Sequence, residues 1–313
     1  MRLVIALGGN ALIRRGQAPD LEVQRHNLGA AVHSLARLIG DHQVAVTHGN
    51  GPQVGLLALQ SATLAGVEPY PLDVLDAESA GMIGYLLQVE LGNALGDRSV
   101  ATLLTEVVVE PGDAAFEHPT KFIGPVYEES TAHRMARAMH WTVHRDGTGW
   151  RRVVPSPRPR EIRELGAIRI LFEAGVVVVC AGGGGVPVVI DRGGIVRGIE
   201  AVVDKDLASA LLAERLNADA LLLLTDVEGV QEGFGTPAAR TIRRLFTDEL
   251  EGLSLPDGSM GPKVTAARQF AERTGGMAGI GRLEDGNAIL AGDAGTLILP
   301  RARRTLSSHT SAA

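Results

Sequence analysis

Apolar positions along the chain fall into short, nearly solid runs separated by longer stretches in which they recur every three or four residues. The runs at 2–7, 44–47, 100–104, 176–180, 220–224 and 297–299 have strand length, and largely unbroken apolar character marks strands buried on both faces. Between them Leu28, Val32, Leu35 and Ile39 repeat at helical spacing, and Leu56, Leu57, Leu59 and Leu64 mark another helix. Residues 160–174 and 206–216 also read as helices. Strand alternating with helix predicts an α/β fold with a mainly parallel sheet covered on both faces, whose ligands sit at the carboxyl ends of the strands. Residues 118–159 break the rhythm with Pro119, Gly124-Pro125, Trp141, Trp150 and Pro155-Ser156-Pro157-Arg158-Pro159. That segment predicts a small irregular flap standing out from the sheet, of the kind that acts as a lid. Residues 301–313, Arg, Ser and Ala without periodicity, read as a frayed tail.

Composition narrows the partners. A chain of 313 residues, 45% apolar and 21% charged, can bury one large α/β core or two lobes. No apolar run approaches the roughly 20 residues of a membrane span. The net charge of −6 lacks the basic excess of a nucleic-acid surface, so a small-molecule partner is expected. Cys180 is the one cysteine and cannot close an intramolecular disulfide, which points to a reducing compartment, the cytoplasm. At the end of an apolar run it reads as core. The nine histidines lack the paired spacing of a metal site, so a metal would have to arrive with a ligand.

Of the 30 basic residues only Lys121, Lys205 and Lys263 are lysine. Where arginine has taken almost every cationic position, lysine should remain where a planar fork cannot replace a compact ammonium. A point charge beside a transferring phosphoryl group is such a place.

Three glycine clusters follow directly on apolar runs: Gly8-Gly9-Asn10, Gly49-Asn50-Gly51 and Gly182 through Gly185. Glycine admits close backbone approach, and successive N–H groups at a helix start hold anions, so three such loops on one sheet edge point to phosphoryl chemistry. The dinucleotide fingerprint is not met, and 258–263, although it resembles a P-loop, has only two residues between its glycines and Val264 where Ser or Thr would hold magnesium. Asp204-Lys205-Asp206 opens a helix, where its carboxylates can cap while the lysine projects. Thr225-Asp226 follows the Leu-rich run.

The motifs Ala6 to Ala11, His48 to Gly55, Pro119-Thr120-Lys121, Val154 to Pro157, Gly182 to Pro187, Asp204-Lys205-Asp206 and Gly258 to Lys263 occur in this order over residues 1–300 and closely resemble those of the carbamate kinases. The resemblance implies the amino-acid-kinase fold, a three-layer αβα sandwich with a mainly parallel open sheet and a small protruding subdomain. It implies an N-terminal carbamate lobe at about 1–175, a nucleotide lobe at about 176–300 and the flap at 118–159. By motif, Gly8, Gly9, Asn10, Gly49, Asn50 and Gly51 would line the acyl substrate and the moving phosphoryl group. Lys205 and Lys263 would contact ATP phosphates, Asp206 would hold them, and Lys121 would reach in from the flap. Asp204, Thr225, Asp226 and Met260 would lie on the nucleotide side. Phe122, Glu228 and the Gly281-Arg282 region depart from the family pattern. The implied reaction is reversible phosphoryl transfer between ATP and carbamate with nucleotide-borne Mg2+, run toward ATP in arginine breakdown by a homodimer. Two rivals are another acyl or phosphate kinase of the same fold and a non-catalytic nucleotide sensor.

Overall fold

The computed structural model describes residues 1–9, 12–13, 17, 20–40, 42–63, 66–252 and 260–301. Asn10, Leu64, Gly258, Ser259 and the tail from 302 lie outside the described residues. An eight-stranded sheet runs in the order Arg244–Phe246, Thr296–Leu299, Met277–Arg282, Ala220–Thr225, Arg2–Leu7, Gln43–His48, Val177–Val179, Val100–Thr102. Every neighbouring pair is parallel except Met277–Arg282 against Thr296–Leu299. The described helices are α1 (Leu21–Ile39), α2 (Gly51–Ser61), α3 (Leu72–Leu95), α4 (Glu129–Met139), α5 (Leu165–Glu173), α6 (Lys205–Arg215), α7 (Met260–Thr274) and α8 (Gly286–Ala291).

Strand side chains alternate between faces, and this divides the core in two. Val4, Ala6, Ala45, Val178, Leu221 and Leu223 pack with Phe172, Leu212 and Phe270 from α5, α6 and α7. Leu3, Ile5, Val44, Val46, Leu222 and Leu224 pack on the other face with Leu28, Val32, Ile83, Leu87 and Ile289 from α1, α3 and α8. Both faces being covered explains why the runs are apolar throughout. The start of α1 is fixed by Asp20, whose carboxylate accepts from Val23 N at 3.0 Å, a cap contributing about 1 kcal/mol.

The structure differs from the sequence pattern in three places. Residues 160–174 are not one helix: Pro159–Ile162 is a strand antiparallel to Glu106–Val109, with Val107 opposite Ile162, and α5 begins only at Leu165. These strands form a second sheet with Val186–Ile190 and Val196–Gly198. Helix α2 buries Gln53, Val54, Gly55 and Ala58, while Leu56, Leu57 and Leu59 are only half-buried. Gly55 is buried because the flap lies on it: a Cβ there would stand 2.1 Å from Gly124 Cα.

The flap itself is regular. Lys121–Tyr127, Gly149–Val154 and Thr142–Asp146 make an antiparallel three-stranded sheet, beside which α4 packs. Asp146 pairs with Gly149 across a two-residue turn in which Gly147 has φ 62°, the left-handed backbone such hairpins need. At its root Ile123 and Val154 share a buried cluster with Val54, Ala58, Leu72, Leu75 and Val202.

Candidate functional site

Because the central strands are parallel and in register, Leu7, His48, Val179 and Thr225 end on one edge of the sheet. The loops that follow converge there. Gly8 N donates to Leu224 O at 2.8 Å, and Gly49 N to Leu7 O at 3.1 Å. A Cβ on Gly49 would stand 3.4 Å from Gly9 N and 3.8 Å from Lys205 Cδ, so the two N-terminal glycine loops touch and Lys205 runs beside them. Thr225 lies against Gly8, its hydroxyl donating to Asp226 Oδ1 at 3.1 Å.

The third cluster does something else. Gly183, Gly184 and Gly185 have φ of 71°, 104° and 87°, and the places their Cβ atoms would take are filled by Asn50 Nδ2 at 2.3 Å, Val203 O at 2.4 Å and Val107 Cγ2 at 2.3 Å. These buried glycines serve to let the surrounding loops close on one another.

The lysines come together although 142 positions separate the first from the last. Lys121, on the first flap strand, donates to Asp204 Oδ2 at 2.5 Å. Asp204 Oδ1 accepts from Asp206 N at 2.9 Å and Leu207 N at 3.2 Å and so caps α6. Inside the first turn of α6, Lys205 Nζ lies 2.6 Å from Asp206 Oδ1, and Lys263 Nζ, from the first turn of α7, lies 3.2 Å from Asp206 Oδ2. One carboxylate thus joins two buried ammonium groups. Met260 opens α7, partly buried against the core.

The charges alter one another as burial and proximity require. Burial alone would raise Asp206, but Lys205 and Lys263 hold its carboxyl well below the usual range. Burial lowers Lys205, with Asp206 opposing. For Lys121 burial is outweighed by Asp204, and its ammonium form is favoured. His48 is pushed down to about 4, chiefly by burial and further by Lys205, against a contact with Gly49 O at 3.3 Å. Burial raises the Cys180 thiol to about 12, as suits a packing residue.

Four buried polar residues of the site were not singled out by the sequence. Thr47 and Ser209 hydroxyls meet at 2.6 Å, and Ser209 donates to Lys205 O at 2.6 Å, tying the second strand to the first turn of α6. Asp76 and Ser79, on α3, each accept from Asn50 Nδ2, at 2.7 and 2.8 Å. Burial holds the Asp76 carboxyl well above its ordinary range, against the Asn50 hydrogen bond. Their signal was a pair of polar residues at buried positions of an otherwise apolar helix face.

The site can therefore place three ammonium groups and several glycine-loop N–H groups around one anion, and among its described residues no serine or cysteine is poised as a nucleophile. Residues 1–279 match the model of the amino acid kinase family. The chain is 51% identical over 301 residues to a carbamate kinase of Rhizobium meliloti (95% of this chain, 93% of the relative). It is 45% identical over 312 residues to one of Pyrococcus furiosus (96% and 99%). Among solved structures, carbamate kinase from Giardia lamblia bound to AMP-PNP superposes with a TM-score of 0.85 at 38% identity, over 96% of this chain and 98% of that one.

Proposed function

The chain belongs to the amino acid kinase family and, within it, to the carbamate kinases, and on that premise we propose that it runs ADP and carbamoyl phosphate to ATP and carbamate in the breakdown of a nitrogen compound such as arginine. Carbamoyl phosphate is a mixed anhydride of high transfer potential, so the downhill direction makes ATP. The observation that carries the residue assignment is Asp206 held between Lys205 and Lys263 at 2.6 and 3.2 Å. Phosphoryl transfer asks for positioning and charge stabilisation rather than a covalent intermediate, and this cluster supplies both.

In this reading the ADP oxygen attacks phosphorus as the bond to the carbamoyl oxygen breaks, and carbamate leaves as an anion. Lys205 and Lys263 take the charge that grows on the phosphoryl oxygens. Lys121 moves from Asp204 toward the same oxygens once substrates are present. The loops Gly8-Gly9 and Gly49-Asn50-Gly51 hold the acyl side, and Thr225, Asp226 and Met260 border the nucleotide side. Asp204 keeps α6 capped whichever partner Lys121 takes.

Magnesium would be carried by the nucleotide. Among the described residues no three His, Cys, Asp or Glu side chains gather to hold a metal, and magnesium is often held by one or two carboxylates plus substrate phosphates. When bound it would neutralise phosphate charge. The proposed homodimer has its support in α3, which exposes Val74, Tyr85 and Val89, and the cytoplasmic assignment in the lone buried thiol of Cys180.

A coupled assay for ATP from carbamoyl phosphate and ADP tests the reading. Wild type should turn over, and Lys205→Ala and Lys263→Ala should each lose roughly 10²-fold or more in kcat while still binding ADP. Near-normal turnover in either variant would remove the residue assignment.

A further inference from the structure

Asp76 and Ser79 lie one turn apart on the buried face of α3, and the reaction described above uses neither. Asp76 is 1% exposed, and its Oδ2 is buried with no hydrogen-bond partner. Buried polar atoms are nearly always partnered, so a carboxyl kept there with one orphaned oxygen calls for an explanation. Its other oxygen offers one. Oδ1 accepts from Asn50 Nδ2 at 2.7 Å, and Ser79 Oγ accepts from the same nitrogen at 2.8 Å while its own hydroxyl donates to Asp76 O at 3.0 Å.

A carboxamide nitrogen has two hydrogens and its oxygen only lone pairs. Both hydrogens of Asn50 are spent on α3, so the function left over is the carbonyl oxygen, to which no described residue donates. The amide lies against Gly183, where a Cβ would stand 2.8 Å from Asn50 Oδ1, and Asn50 sits between Gly49 and Gly51 of the acyl-side loop. Without a partner at position 76 the amide could turn over and present its donor end instead.

We propose that Asp76 is a positioning residue for the acyl substrate: with Ser79 it fixes the Asn50 amide so that Oδ1 accepts from an N–H of the substrate, which makes the site select a carbamoyl group over an acetyl group of the same shape. The proposal rests on the carbamate kinase reading and deepens it. The carbamoyl NH2 offers a donor where acetyl offers a methyl, and an acceptor fixed in a buried site penalises the group that cannot pair with it.

The test compares wild type, Asp76→Ala, Asp76→Asn and Ser79→Ala in ATP formation from ADP with carbamoyl phosphate or acetyl phosphate as donor, and also measures KM for ADP. Asp76→Ala should lower the ratio of kcat/KM for carbamoyl over acetyl phosphate by about 3- to 10-fold, the worth of one net hydrogen bond, mainly through KM for carbamoyl phosphate. KM for ADP should stay where it was. Asp76→Asn keeps an oxygen for Asn50 Nδ2 and should restore the ratio, while Ser79→Ala should lower it. An unchanged ratio in Asp76→Ala, or equal loss with both donors, would make Asp76 a packing residue and overturn the proposal. Should Asp76→Ala fail to fold, an unchanged ratio in Ser79→Ala overturns it equally. A wild type that makes no ATP from carbamoyl phosphate would instead sink the kinase reading, and this proposal with it.

Discussion

Replacing Asp206 by Asn keeps the shape of the side chain and removes its charge, so it asks whether one carboxylate holds two ammonium groups in the site. Asp206 is 4% exposed, with Lys205 and Lys263 at 2.6 and 3.2 Å. An opposite charge at such range shifts an ionisable group by about 1–3 units, or about 1.4–4 kcal/mol. Removing one partner of a buried pair costs about 3–5 kcal/mol. The two estimates meet at about 3–4 kcal/mol. With an unfolding entropy of about 2.1 cal/mol/K per residue, or about 0.66 kcal/mol/K for this length, Tm should fall by about 5–6 °C. Burial already lowers Lys205, Lys263 lowers it further, and Asp206 is the chief opposing charge, ahead of Asp204, so the lysine of the variant loses its proton at lower pH. The alkaline limb of kcat should therefore move to lower pH. On the acid side Asp206 is held below the usual carboxylate range, so its contribution is present above that range and lost as the pH falls through its folded value. The variant should lack this acid sensitivity. Coupled ATP formation from neutral to alkaline pH, with thermal denaturation beside it, reads both effects. An unmoved alkaline limb together with a near-normal kcat would refute the idea that Asp206 sets the charge of these lysines.

Lys121→Arg should not restore the activity lost in Lys121→Ala, because a planar fork cannot copy a single ammonium 2.5 Å from Asp204 in a partly buried slot; full activity in the arginine variant would end that argument. Gly183→Ala must place a side chain at φ 71° and 2.3 Å from Asn50 Nδ2, so about 1–3 kcal/mol of stability should go, with kcat/KM. Urea unfolding and steady-state kinetics measure the two. His48 binds its proton only near pH 4 when folded against 6.5 as its reference, so its contribution is whole above pH 6.5 and falls away toward 4, by at most roughly 3 kcal/mol. His48→Gln should flatten that part of the stability profile, and an equally steep profile would assign the acid loss elsewhere. The flap should show hydrogen exchange that slows with ADP plus carbamoyl phosphate between about 126 and 150, while its root around Ile123 and Val154, locked in the cluster with Val54 and Leu75, stays protected throughout. Strong protection of the whole flap in both states would mean a rigid insert and no lid.

What could be read from the sequence was what local pattern determines. The runs at 2–7 and 220–224 are buried on both faces and so carry their strand character in composition alone; Arg244–Phe246 and Pro159–Ile162 are short, partly exposed and defined by their partners, which no local signal reports. The flap was found from its prolines and aromatic residues, yet its order was missed because the decisive cue, the turn Gly147-Thr148 between the strands, is two residues long. Three lysines stood out against 27 arginines, and the structure puts all three within reach of Asp204 and Asp206. The glycines at 182–185 signalled a tight loop, but whether such glycines face a ligand or a neighbouring loop depends on contacts with Asn50, Val107 and Val203, which are distant in sequence. Asp76 left only the faint signal of a polar residue among apolar neighbours, because the amide its side chain meets, that of Asn50, is 26 positions away.

The geometry also gives a reason for lysine at 205 and 263 that a count of residues cannot. Asp206 has two oxygens, and each is taken by a different ammonium. An arginine at either position would engage a carboxylate in the parallel two-bond arrangement that its fork favours, occupying both oxygens and displacing the second cation. Two single-point donors can share one carboxylate; two forks cannot. The sharing leaves the cluster with three ammonium groups against two carboxylates, Asp204 and Asp206, while burial holds the third nearby acid, Asp76, toward its neutral form. A buried excess of one positive charge is costly on its own, and an entering phosphoryl group relieves it. The same sharing means that Lys205 need not abandon its carboxylate to meet a phosphate, since it spends one of its three hydrogens on Asp206. Donors already fixed and already charged require no reorganisation as charge grows on the phosphoryl oxygens, and that is the condition under which a site whose described residues offer no nucleophile can still accelerate the transfer.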